Sequence, residues 1–179
     1  MRSTEELVSE HRIILQVLTA LDRKVRDTEQ GEGLPVGFLR NLLAFGGGFI
    51  DRCHHAKEER CLFPCLDRRG IPASGGLVEV LLQEHATGRE LVGRIGALLD
   101  RYESGGAAAG EVLDACRSYA DLLRQHIMKE DDVLFPAGDA VMKAEDQTEV
   151  AGCFSEREQA LGPDYHPRLH RLAEELAAE

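Results

Sequence analysis

Two strings in this chain carry the same residues at the same offsets. His54 through Pro64 reads HHAKEERCLFP, and His126 through Pro136 reads HIMKEDDVLFP. Each is preceded, at nearly the same interval, by a Glu-His pair: Glu10-His11 before the first and Glu84-His85 before the second. The chain is thus two copies of one unit, each offering a lone histidine and then His-x-x-x-Glu. On a helix that spacing stacks the imidazole and the carboxylate on one face, a turn apart. If the face points inward, the glutamate is costly to bury unless it is paired or binds a cation. His11, His54, Glu58, His85, His126 and Glu130 therefore form a candidate metal-ligand set.

Four imidazoles and two carboxylates are more donors than one tetrahedral zinc accepts. Two carboxylates can bridge two ions, and mixed nitrogen and oxygen ligation suits iron first, with manganese or zinc behind it. With six-coordinate ions, these ligands and a bridging oxide or hydroxide fill about ten of roughly twelve positions. About one open position per ion would then admit dioxygen, nitric oxide or peroxide.

Comparison of the copies sorts the neighbouring residues. His55 and Glu59 share the spacing of His54 and Glu58, but Ile127 stands where His55 does. His55 is expected at the surface or behind a ligand. Lys57 and Lys129 are expected to be solvated or paired with nearby acids. Tyr119 lies two turns before His126, and its counterpart in the first copy is Gly47. Core filling is the first expectation for Tyr119, and lining an access route beside Gly47 the second. Cys61 and Cys65 are expected to be buried small residues, and all five cysteines reduced thiols. His166 and His170 have ligand spacing but no partner in the repeat, so they are expected at the surface.

Helices must position these groups. The first begins at a capping box, Ser3-x-x-Glu6, and its seam runs Leu7, Ile14, Leu18, Leu21 and Val25, with His11 within it. Pro35 opens a second helix to about Asp67, whose phase is disturbed at Gly46, Gly47 and Gly48; close backbone packing or a local bulge is expected there. A third runs from about Gly76 to Tyr102 with seam residues Val78, Leu81, His85, Gly88, Val92, Ile95 and Leu99. After Ser104 to Gly110 a fourth carries Val112, Cys116, Tyr119, Leu123, His126, Glu130 and Val133. Short connections between long helices imply an all-α, up-down-up-down four-helix bundle over residues 1–137. Residues 138–179 are expected to add one or two helices, with Leu169, Leu172 and Leu176 on one face, packed on the bundle or on another subunit.

The bulk composition agrees. Aromatic residues make up 5% of 179 residues and Trp is absent, which suits helices better than sheets. A net charge of −11 argues against nucleic acid or an anionic membrane as partner. No apolar run reaches the ~18 residues of a membrane span, and MRSTEEL lacks an apolar leader core. A cytoplasmic protein is expected.

The segments EHRIIL, CHHAKEERCLFP, EHATGRELV and HIMKEDDVLFP together resemble the hemerythrin-like, HHE cation-binding family. The resemblance covers about residues 5 to 137. It implies a four-helix bundle around a non-haem di-iron centre, oxo- or hydroxo-bridged, with His11, His54, Glu58, His85, His126 and Glu130 as ligands and Glu58 and Glu130 as bridges. Two departures from the oxygen-carrying members stand out. Those carry a fifth histidine where this chain has Arg89, and an aspartate five residues after the residue matching His126 where this chain has Glu130 four residues on. Fewer histidines imply a more open site and weaken the case for reversible oxygen transport. The pattern is closer to bacterial members that respond to nitric oxide or handle peroxide. Iron–sulfur cluster repair is less expected, because no cysteine-bearing segment stands ahead of the motif. Binding or sensing would require a protein partner; turnover as an oxidoreductase would require an electron donor.

Overall fold

The computed structural model describes residues 2–179. It is all-helical, with no strand among the described residues. Helix α1 spans Ser3–Glu29. Its N-terminus departs from the expected capping box. Ser3 is already helical, the Arg2 N–H is taken by Glu5 Oε2 at 2.9 Å, and the Ser3 hydroxyl donates to Gln147 Oε1 at 2.8 Å. The Ser3 side chain ties the helix to a distant element instead of capping it.

The second helix is continuous over residues 36–68 but changes winding. It is α-helical over Val36–Phe45 (α2), widens to π geometry over Gly46–His55 and again over Glu58–Leu62, and returns to α over Phe63–Arg68 (α3). The disturbance begins at the three glycines, where the broken phase placed it. Gly46 and Gly48 face neighbours and Gly47 does not. A Cβ on Gly46 would lie 3.0 Å from the Tyr119 hydroxyl, and one on Gly48 would lie 2.9 Å from Leu169 Cδ2.

Helix α4 spans Leu77–Glu103 and α5 spans Ala109–Lys129. A π turn over Glu130–Leu134 follows, then α6 over Phe135–Val141. The extra residue of this turn shifts the seam by one, so Leu134 is buried and Val133, expected inward, is 55% exposed. Wide turns of this kind are frequent at functional sites. Helices α7 (Ala144–Leu161) and α8 (Tyr165–Ala178) complete the chain.

The core has two apolar layers. One gathers Ile14, Phe49, Ile95 and Leu123 with Leu169, Ala173 and Leu176 of α8. The other gathers Leu7, Leu62, Leu81 and Leu134 with Phe154 of α7. Between them four helices set polar residues: His11 after Leu7, His54 and Glu58 before Leu62, His85 after Leu81, His126 and Glu130 before Leu134. Successive helices therefore cross this polar layer in alternate directions.

Cys61 and Cys153 form a disulfide that joins the second π turn to α7, with Cα atoms 5.9 Å apart. This overturns the expectation of five thiols and of Cys61 as a plain core residue. The partner lies 92 residues away on a helix outside the repeat, so no local spacing pointed to it. Cys53, Cys65 and Cys116 remain buried thiols.

Candidate metal centre

All six expected ligands converge in the polar layer, and each is at most 2% exposed. The imidazoles meet in two pairs: His11 Nε2 is 2.9 Å from His54 Nε2, and His85 Nε2 is 3.2 Å from His126 Nε2. Glu58 spans the pairs, with Oε1 at 3.4 Å from His54 Nε2 and Oε2 at 3.4 Å from His85 Nε2. Glu130 Oε2 lies 3.2 Å from both His11 Nε2 and His126 Nε2. No carboxylate oxygen of Glu58 or Glu130 accepts a hydrogen bond, although all four are buried.

Such a group fits metal ions. A buried carboxylate left unpartnered costs on the order of several kcal/mol, and here two face each other across four imidazoles. Two nitrogens bound to one ion at right angles lie about 3 Å apart for a metal–nitrogen bond of about 2.1 Å, which matches both pairs. Four-donor groups of this kind form around His11, His54, Glu58 and Glu130, and around His55, Glu58, His85 and His126.

The histidines are aimed from behind. Each Nδ1 faces a carboxylate: His11 to Asp131 at 2.7 Å, His54 to Glu10 at 2.8 Å, His85 to Glu59 at 2.8 Å, and His126 to Glu84 at 3.0 Å. With Nδ1–H donating there, Nε2 keeps its lone pair for a metal. The arrangement follows the repeat. The glutamate of each Glu-His pair orients the histidine of its own copy's second string, while the acid after Glu58 or Glu130 crosses to the lone histidine of the other copy. All four acids lie within or directly before the repeated strings, and their matching offsets from the candidate ligands were the signal that could have marked them.

The lysines and phenylalanines of the strings have matching tasks. Lys57 is fully buried, not solvated, and its Nζ donates to Glu6 at 2.8 Å, Glu10 at 2.7 Å and Glu158 at 2.5 Å. Lys129 holds Glu84 in the same way. Three residues after its histidine, each lysine shares that histidine's face and reaches the same glutamate. Phe63 stacks on His85 with ring centroids 6.0 Å apart, and Phe135 stacks on His11 at 5.6 Å.

The carboxylates of this layer favour positive charge on the imidazoles, the same preference that would favour a cation between them. Burial works against a proton on His11, but Asp131 and Glu130 outweigh it and raise its pKa to about 10. His85 rises likewise to about 9 through Glu58 and Glu59, and His126 rises through Glu130. Burial also opposes ionisation of Glu10, yet His166, His54 and Lys57 hold its carboxyl well below the usual range.

Of the two places expected for His55, the surface fails: the residue is 4% exposed and stacks on His85. Gly46, not Gly47, meets Tyr119, because the π turn changes which glycine faces α5. Gly46, Gly47, His55, Gly88, Arg89 and Tyr119 line a cavity of about 340 Å³, with His55 standing between it and His85. Burial pushes the Tyr119 phenol up, so it stays neutral. His166 and His170 are half-buried against Phe49, and His166 Nε2 lies 3.6 Å from Glu10 Oε1. Arg89 points outward to Asp51 and Glu59.

The hemerythrin HHE cation-binding domain matches residues 2–138. The chain belongs to this family, whose members bind metal cations. Uncharacterized proteins of Mycobacterium tuberculosis and Mycobacterium bovis are similar, each 26% identical over 155 residues, which is 86% of this chain and 60% of theirs. The chain thus spans about three-fifths of the length of these curated relatives. No solved structure matches. No helix among the described residues is long and apolar enough to cross a membrane.

Proposed function

We propose that the chain is a non-haem di-iron protein that binds or responds to dioxygen, nitric oxide or peroxide. The carrying observation is the set of four orphaned carboxylate oxygens facing four imidazole nitrogens in two pairs. His11 and His54 would hold one ion, His85 and His126 the other, and Glu58 and Glu130 would bridge them. Alternate crossing of the polar layer by successive helices supports an up-down-up-down four-helix bundle over residues 1–137, with residues 138–179 as an extension packed upon it.

When bound, such a pair of ions supplies redox-active coordination positions for a small molecule. The chain supplies the rest. Asp131, Glu10, Glu59 and Glu84 fix the ring orientations, and the two apolar layers exclude water above and below. The glycine-walled cavity beside Tyr119 gives a small ligand a route inward.

Anaerobic loading with ferrous iron, metal counting, and spectra after separate exposure to dioxygen, nitric oxide and peroxide test this reading. Two irons per chain with a stable, reversible adduct are expected. Rapid consumption of peroxide or nitric oxide would make the protein an oxidoreductase instead. A single zinc would overturn the di-iron reading.

A further inference from the structure

Arginines gather where α7 meets the second helix. Arg52 and Arg60 stand on its two π segments, Arg89 on α4 and Arg157 on α7, and all four line a second cavity of about 340 Å³. The whole chain carries a net charge of −11, so this local excess of cations runs against its trend. Two acids share the cavity, Asp51 and Glu59, and both are engaged. Arg89 donates to Asp51 at 2.8 Å and to Glu59 at 3.2 Å, and Glu59 also faces His85 Nδ1 at 2.8 Å. Arg52, Arg60 and Arg157 form no ion pair among the described residues. The Nε of Arg157 is buried without a hydrogen-bond partner. A buried charged donor left unpartnered is costly, so this position calls for an acceptor.

The lining defines the acceptor. Four guanidinium groups against two carboxylates leave two positive charges, and a phosphate monoester carries about −1.5 to −2 at neutral pH. The planar fork of guanidinium donors matches phosphate oxygens. Ala56, Ala160 and Leu161 complete the wall with an apolar side, and the volume falls within the range of about 300–1,000 Å³ usual for small-molecule sites. We propose that this cavity binds a phosphate group, free or carried by a small organic monoester whose organic part lies on the apolar side. The disulfide fixes its frame. Cys61 follows Arg60 directly and Cys153 lies one turn before Arg157, so the bond between them holds the two arginines side by side. The second copy of the repeat has Asp132 at the place of Arg60, and α7 lies outside the repeat, so the site has no twin.

Isothermal titration calorimetry of the full chain, as isolated and again after metal removal, tests this assignment. Phenyl phosphate, inorganic phosphate and succinate are compared at one ionic strength. Phenyl phosphate should bind at one site per chain in both states. Arg60→Gln and Arg157→Gln should each weaken that binding at least about tenfold. Arg26→Gln, which removes a charge from the far end of α1, should leave it unchanged, and circular dichroism checks the fold of every variant. Tighter binding of phenyl phosphate than of inorganic phosphate assigns the site to a monoester; equal binding assigns it to the free ion. Four results would each overturn the proposal: no saturable binding, binding that vanishes on metal removal, affinities unaltered in Arg60→Gln and Arg157→Gln or lowered equally in Arg26→Gln, and succinate held as tightly as phosphate.

Discussion

Each of the four histidines proposed as ligands is held by a carboxylate, and two of those carboxylates are held in turn by lysines. Lys57 to Glu10 to His54 is one chain and Lys129 to Glu84 to His126 the other. An imidazole whose Nδ1–H lacks an acceptor can turn over or change tautomer, and its Nε2 is then lost to the metal. Glu10→Gln keeps the shape but removes the charge that Lys57 and His54 share. Metal affinity is expected to fall about tenfold to a hundredfold, measured by competition with a chelator. Glu84→Gln should do the same at the other pair. Unchanged affinity in both would mean that packing alone orients the rings. At this scale the repeat exposed the six candidate ligands, because duplication marks them. It repeated the supporting acids too, but not which histidine each would reach, because a hydrogen bond between helices is not written in local spacing.

The decisive elements are the π turns. An α-helix carrying Gly46 to Pro64 would place its residues with a period near 3.6, and the observed seam does not keep it. The wider turns explain why Val133 faces solvent while Leu134 is buried, and why Gly46 rather than Gly47 meets Tyr119. They also separate the tasks of the three glycines. Gly47 has open space at its Cβ position, whereas Gly48 lies under Leu169 of α8. Gly47→Ala should be neutral or stabilise the fold by up to about 1 kcal/mol through the lost flexibility of the unfolded chain. Gly48→Ala should destabilise by about 1 kcal/mol or more as α8 is pushed outward. Urea midpoints of the two variants decide; equal shifts would show that α8 adjusts without cost.

For the whole molecule, the segment after the repeat is joined to the site. Helix α8 enters the core through Leu169, Ala173 and Leu176, Glu158 of α7 reaches Lys57, and Cys153 is bonded to Cys61 three residues after Glu58. A cross-link closing so long a loop restricts the unfolded chain, and its loss should cost about 2–4 kcal/mol. Denaturation with and without reductant, and of Cys153→Ser, should show that loss in the midpoint. Burial pushes the Cys53 and Cys116 thiols up to about 12, so the native protein should resist alkylation until reduction frees Cys61 and Cys153. Equal midpoints with and without reductant would leave the bond without a stabilising role.

Sequence by itself determined the helical class, the family resemblance and the six residues that meet in the polar layer. Periodicity and duplication are local or repeated patterns, and both survive in a string of letters. Tertiary structure decided the pairing of histidines, the four supporting carboxylates, the burial of Lys57 and His55, and the disulfide. Each depends on which residues of different helices come within about 3 Å, a distance for hydrogen bonds and ligation that helix winding can change by a whole residue.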